Sequence, residues 1–218
     1  MPLEVHRITS PDDLETFARI QILAFASGGG IASLLSHGPM TEEHVKKYTE
    51  RHVKSWRDEK DVFYLKVVDT DVDGGKMIAG AKWRISEKEK TEEEAQKMYP
   101  TPEGDDLNNQ ALVDFMAFLN RARKQYVNTK PICFLQILVT DPEHHRKGAG
   151  SMLLKWGLSK ADELGLPGFL EASPMGKPLY ERMGFRTQET VVFDLTKYGA
   201  EGEDTNTIMI REPLPTKA

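Results

Sequence analysis

The chain has 218 residues, of which 39% are hydrophobic and 29% charged, with a formal net charge of −5 and one cysteine. This length suits one domain, or one with a sizeable insertion, and it can bury a proper core. The acidic balance argues against a general nucleic-acid binder, lone Cys133 excludes an intrachain disulfide, and no apolar run approaches a membrane span.

Leu3 to Ile8 alternates as a first strand, and Met1 to Arg7 holds no signal-peptide h-region, so the expected location is cytoplasmic. Ser10-Pro11-Asp12-Asp13 predicts a helix start with Ser10 as N-cap, continued by Leu14, Phe17, Ile20 and Ala24. Gly28-Gly29-Gly30 interrupts it, as a mobile loop or a linker. A second helix is predicted from Thr41 to Trp56. Val62 to Val68 and Met77 to Ile85 form a hairpin around the Asp-Gly-Gly turn. On the return strand Ala79, Ala81, Trp83 and Ile85 share one face, and Lys82 and Arg84 share the other.

Ser86 to Met98 reads as a charged, solvated helix and the stretch from Pro100 to Asp106 as a loop. Leu112, Phe115, Met116, Leu119 and Ala122 then mark an amphipathic helix whose stripe favours core packing over a ligand box. The apolar run from Ile132 to Val139 is a strand, in which Cys133 reads as an inert buried thiol. Leu154, Gly157, Leu158, Ala161 and Leu164 lie on one helix face, closed by Gly165 and Pro167. Gly168 to Ser173 is a short strand, and Thr190 to Leu195 and Thr205 to Ile210 are two more. The tail from Pro213 is polar and expected to fray.

The turn between the Ile132 strand and the following helix carries the chemistry. Its sequence is Thr140-Asp141-Pro142-Glu143-His144-His145-Arg146-Lys147-Gly148-Ala149-Gly150-Ser151-Met152. A strand, a basic turn, two glycines and a helix start are the parts of a phosphate site, because a helix N-terminus presents unpaired N–H groups and partial positive charge. The spacing is not that of a Walker loop. Leu153 stands where a dinucleotide fingerprint needs its third glycine.

The segment His145-Arg146-Lys147-Gly148-Ala149-Gly150 resembles the acyl-CoA signature of the Gcn5-related N-acetyltransferase (GNAT) superfamily, Gln/Arg-x-x-Gly-x-Gly/Ala after the fourth strand. His145 departs from it, standing where Gln or Arg is usual. Downstream, Leu179-Tyr180-Glu181-Arg182-Met183-Gly184-Phe185 resembles the second family pattern, Leu-Tyr-x-x-x-Gly-Phe. The resemblance is clear from Ile132 to Leu195.

It implies one α/β (α+β) GNAT-like domain over residues 1–218, with a helical insertion at about 86–130 that either covers the acceptor site as a lid or packs outside. The sheet would be mixed and mostly antiparallel, with six to seven strands, flanked by helices and splayed between strands 4 and 5. Acetyl-CoA would be the co-substrate, with no metal. Its pyrophosphate would lie on the N–H groups of Gly148, Ala149, Gly150, Ser151 and Met152, with charge from Arg146 and Lys147. A solvated basic turn is the alternative for those two. His145, the backbone of Leu138 and Val139, and Ser173 complete the donor-binding set.

Tyr180 corresponds to the family tyrosine near the CoA sulfur and would act as general acid; otherwise it is a helix residue packed on the sheet. Glu171 would be a base or a binder of the acceptor ammonium; otherwise it pairs with a surface lysine. Gln136 is a weaker candidate for orienting water. The implied activity is transfer of an acetyl group to a primary amine of a small molecule. The alternatives are a protein acetyltransferase, on lysine or an N-terminus, and a non-catalytic acyl-CoA-binding module. No nucleic-acid or membrane partner is expected. Dimers are common among such enzymes.

Overall fold

The computed structural model describes residues 3–35, 40–72 and 74–215. Asp73 of the hairpin turn and residues 216–218 of the expected fraying tail lie outside them. Seven strands form one sheet: β1 (Leu3–Arg7), β2 (Val62–Asp69), β3 (Lys76–Ser86), β4 (Ile132–Thr140), β5 (Gly168–Ala172), β6 (Arg186–Asp194) and β7 (Glu203–Arg211). The order is β1-β2-β3-β4-β5-β7-β6, antiparallel except for the β4–β5 pair. This is the expected mixed sheet.

Helix α6 (Ala149–Leu164) covers one face. Its Leu153, Leu154, Leu158 and Ala161 pack with Trp83, Leu170 and Met209. Leu153 is buried as well, whereas Leu164, expected on the buried face, ends 36% exposed. Gly157 sits directly against the Trp83 indole: a Cβ there would lie 2.1 Å from Cε2.

The other face carries α1 (Asp12–Ser27), the short α2 (Gly30–Leu34), α3 (Glu42–Asp58), α4 (Glu92–Gln96) and α5 (Gln110–Tyr126). Leu14 and Phe17 of α1 pack on Tyr64 and Val139. Phe118 of α5 packs on Phe134, Phe169 and Phe193. Helix α7 (Lys177–Arg182) follows β5. None of these helices is long and apolar enough to cross a membrane.

Several expectations are corrected here. Pro11, not Ser10, occupies the N-cap position of α1; Ser10 Oγ instead accepts from Asp12 N–H at 3.3 Å. The glycine triplet is neither a linker nor a free loop. It opens α2, whose Ile31 N–H donates to the Asp204 carboxylate at 2.8 Å and ties α1 to β7. The charged stretch after Ser86 is not one long helix, since β3 pairs with β4 through Ser86 and only Glu92–Gln96 is helical behind a Thr91/Glu94 capping box. Nor is it simply solvated, because Ala95 and Met98 are buried. Helix α5 does not pack outside; it builds the second core beneath β4, β5 and β7.

Candidate active site

The sheet opens where β4 and β5 part. Their pairing covers Cys133↔Gly168, Phe134↔Phe169 and Leu135↔Leu170 and then stops. On its other side β4 stays paired with β3 through Thr140. Gln136 is an inserted residue there, between the Trp83↔Leu135 and Lys82↔Ile137 pairs. A bulge bends its strand and re-aims nearby side chains. From Gln136 to Thr140 the edge of β4 toward β5 therefore lacks a strand partner. Gln136, Ile137 and Leu138 are only half-buried although they lie on a central strand. The gap is a slot bordered by unpaired peptide groups, which an amide-bearing ligand can pair with.

The turn after β4 delivers the glycine loop to one end of that slot. Asp141 Oδ1 accepts from Glu143 N–H at 3.0 Å and starts a short 3₁₀ turn, Pro142–His144. Arg146 (φ 64°) and Gly148 (φ 93°) adopt left-handed backbone, and α6 begins at Ala149. Glycine takes this conformation freely, whereas an arginine in it costs about 1 kcal/mol and is a local outlier. Among the described residues, the consecutive N–H groups from His145 to Ser151 donate to no protein acceptor. Met152 differs from the expectation: its N–H donates to Gly148 C=O at 3.2 Å, closing the first helical turn. The donor cradle thus ends at Ser151.

The basic side chains divide. Lys147 Nζ lies 3.7 Å from buried Asp69 Oδ2, so its charge is partly matched. Exposed Arg146 makes no ion pair among the described residues. The exposed His145 ring bonds to Thr140 C=O at 3.2 Å, which fixes the turn. Asp141, Glu143 and His144 approach one another closely enough to share a cation, but Lys76 Nζ, 3.8 Å from Asp141, already brings positive charge there.

Three elements meet at Gly150. A Cβ added there would lie 3.7 Å from Leu179 of α7, 3.9 Å from Leu138 of β4 and 4.0 Å from Thr140 Oγ1. The loop, the open strand and the helix that carries Tyr180 therefore converge. The Tyr180 ring is buried, edge-on to Phe185 with centroids 6.1 Å apart. Burial pushes its phenol above the usual tyrosine range, so it is fully protonated at neutral pH. Ser173, exposed at the end of β5, accepts Gly176 N–H on its hydroxyl at 3.3 Å and shapes the turn into α7.

Glu171 is placed differently from either expectation. Its oxygens accept from Arg123 Nε at 2.7 Å and Nη2 at 3.1 Å, in a pair with both side chains at most 10% exposed. Arg123 also donates to Met98 C=O at 2.6 Å and covers the Phe134 ring. The partner is thus a buried arginine from α5, not a surface lysine, and the carboxylate holds two elements together. Sequence reasoning missed Arg123 because helical periodicity places it beside the apolar stripe without naming its partner.

Residues 106–187 match the family model described as an acetyltransferase (GNAT) domain. That stretch, from before α5 to the start of β6, is similar to a GNAT acetyltransferase domain. Solved structures agree in fold across nearly the whole length. Arylalkylamine N-acetyltransferase 2 from Aedes aegypti superposes with a TM-score of 0.65 at 14% identity, covering 97% of this chain and 99% of its own. A Corynebacterium glutamicum protein described as histone acetyltransferase HPA2 and related acetyltransferase gives 0.61 at 16%, covering 100% of both. A PaiA N-acetyltransferase from Thermoplasma acidophilum, solved with coenzyme A, gives 0.50 at 16%, covering 97% and 99%. The mixed sheet with its splay between β4 and β5 is the fold these neighbours share.

Proposed function

We propose that this protein is an acyl-CoA-dependent N-acetyltransferase acting on a primary amine of a small molecule. The observation that carries the reading is the row of unpartnered amides from His145 to Ser151 at one end of the β4–β5 slot. Those amides hold the pyrophosphate, with Arg146 and the helix dipole adding charge and Lys147 and His145 steadying the turn. The free edge of β4 at Leu138 and Val139 pairs with the pantetheine amides, and Ser173 borders the far side. A Val139 or neighbouring N–H serves as oxyanion donor.

The neutral amine attacks the thioester carbonyl, a C–N bond forms, the C–S bond breaks, and the attacking nitrogen releases its proton to water. Tyr180 meets the leaving sulfur. Its raised phenol is a poorer acid than a thiol of about 8.5. It therefore stabilises the thiolate by hydrogen bonding more than by full proton transfer. Glu171 acts here by fixing Arg123 beneath the acceptor side, since both its oxygens are engaged.

An enclosed acceptor side favours a small amine over a protein. α1, α2, α3 and α5 border a recess lined by Ile22, Phe25, Tyr48 and Met116 together with the charged Lys47, Arg51 and Asp106. Phe25 also packs on the cluster containing Val139 of β4.

Calorimetric titration with acetyl-CoA, beside Gly150→Glu, tests the donor site. Gly150 has ordinary backbone and room for a methyl group, so a carboxylate there meets the amide row without backbone strain. Micromolar binding by the wild type, lost in the variant, is expected. Thiol release with amines but not with lysine peptides then supports the small-molecule assignment; the reverse overturns it.

A further inference from the structure

The acceptor face holds a cluster of charges with one cation left over. Arg84 Nη1 donates to Asp61 at 2.8 and 3.0 Å, and its Nη2 is bonded to Glu59. Lys90 Nζ lies 3.6 Å from the other side of Asp61. Arg123 holds Glu171. Each of the three carboxylates is thus engaged by an arginine. The fourth cation, Lys82, has no carboxylate partner among the described residues; its recorded neighbour is the Tyr64 ring, 5.5 Å from Nζ. Tyr64 offers no charge, because its hydroxyl is bonded to His52 Nδ1 at 2.9 Å. His52 in turn meets Gln21 at 2.7 Å and is held neutral, pushed down to about 3 by burial.

Lys82 nevertheless keeps contact with solvent. It is half-buried, whereas Arg84 beside it on the same face is 2% exposed. Burial pushes the Lys82 ammonium down to about 8, with Arg84 and Arg123 lowering it further and Glu59 and Asp61 opposing them.

Lys82 is at the level of the sheet where β4 and β5 part. Lys82 lies opposite Ile137, immediately beyond the last β4–β5 pair. The residue inserted between its pair and the next is Gln136, whose Oε1 is buried and accepts no hydrogen bond. Beside the point where the slot opens, the fold therefore leaves one unused cation and one unused acceptor on adjacent strands. Each is costly to bury unmatched.

We propose that Lys82 binds a carboxylate of the acceptor and that Gln136 accepts a hydrogen bond from its amine, so that the preferred substrate is an amino acid rather than a simple amine. The proposal rests on the acetyltransferase reading above and names its substrate class. A carboxylate against Lys82 supplies the missing counter-charge by a charge-assisted hydrogen bond. The same contact leaves the amine beside the slot rather than at its rim.

Matched probes test it: L-phenylalanine against 2-phenylethylamine, L-tyrosine against tyramine, and L-lysine against cadaverine, with acetyl-CoA and thiol detection. In at least one pair the acid should have the higher kcat/KM by about 10-fold or more, as expected for a hydrogen bond to a charged group. Lys82→Met should remove that preference by raising KM for the acid while leaving the decarboxylated partner unchanged. In the wild type, the acid-to-amine ratio of kcat/KM should fall as pH rises through about 8, where Lys82 loses its charge.

Equal or reversed preference in every pair overturns the proposal. So does a fall in kcat for acid and amine alike in Lys82→Met, which would make Lys82 a base. If acetyl-CoA binds but no probe reacts, thermal stabilisation of the CoA complex by N-acetyl-L-phenylalanine, compared with N-acetyl-2-phenylethylamine, decides. The absence of any preference for the acid sinks the proposal while the donor site stands. Failure to bind acetyl-CoA removes the parent reading and this one with it.

Discussion

Tyr180 shows how the environment changes what a residue type can do. In water a phenol near 10 is a usable acid, but with its ring buried against Phe185 the group is harder to ionise. In the proposed reaction its contribution is a directed hydrogen bond to the departing sulfur. We expect Tyr180→Phe to lower kcat about 100-fold, the lower range for loss of a positioned acid, with acetyl-CoA affinity unchanged. Steady-state rates beside calorimetry check this, and undiminished turnover would leave the sulfur without its partner. Glu171 makes the opposite point. Its strand position suggested a free carboxylate facing the slot, and the neighbouring helix supplied Arg123 to occupy it.

At the scale of elements, the packing of α6 decides where the glycine loop sits. The helix lies close enough to β3 that residue 157 cannot carry a Cβ without displacing Trp83. Trp83 is fully buried and its neighbours are close-packed, so the ring has nowhere to go. Gly157→Ala should therefore lower stability by about 3 kcal/mol, the upper end for overpacking a core. Urea unfolding followed by tryptophan fluorescence measures it; unchanged or raised stability, as for glycine to alanine on an exposed helix, would mean that α6 rides higher on the sheet. Because α6 and the loop are continuous, the same variant should weaken acetyl-CoA binding as its N-terminus shifts.

For the whole molecule, buried titratable groups couple stability to pH. His52 is 6% exposed, bonded on both nitrogens, and held near 3 against an ordinary 6.5. The unfolded chain takes up the proton first as pH falls. The contribution is therefore full above 6.5 and is lost progressively from 6.5 down toward 3. The loss is a little over 1 kcal/mol per pH unit in that window. The stability gap between wild type and His52→Gln should shrink by about that amount from pH 6.5 to 5.5 in denaturant titrations. A constant gap would show that His52 is protonated in the fold. Cys133 has the matching trait: burial raises its thiol to about 12, which keeps it inert, as its place in an apolar strand suggested.

The sequence by itself determined the parts whose cause is local. Alternation marked the strands, turn chemistry marked the hairpin, and Arg146, Gly148 and Gly150 marked a helix start suited to phosphate. Two motifs in order carried the resemblance to the superfamily, and the splayed sheet that goes with it is the fold found. What only the tertiary structure decided is which charges meet. Arg123 and Glu171 are 48 residues apart. Arg84 meets Glu59 and Asp61 across a hairpin, and among the described residues Lys82 is left without a carboxylate because those two are already engaged. The extent of α4, the joint at Gly30 and the end of the amide row at Ser151 were likewise set by pairing and capping. Periodicity reports which face a residue takes, because that depends on its own strand or helix. Charge pairing depends on what the rest of the chain brings opposite, and in this protein it shapes the acceptor side of the site.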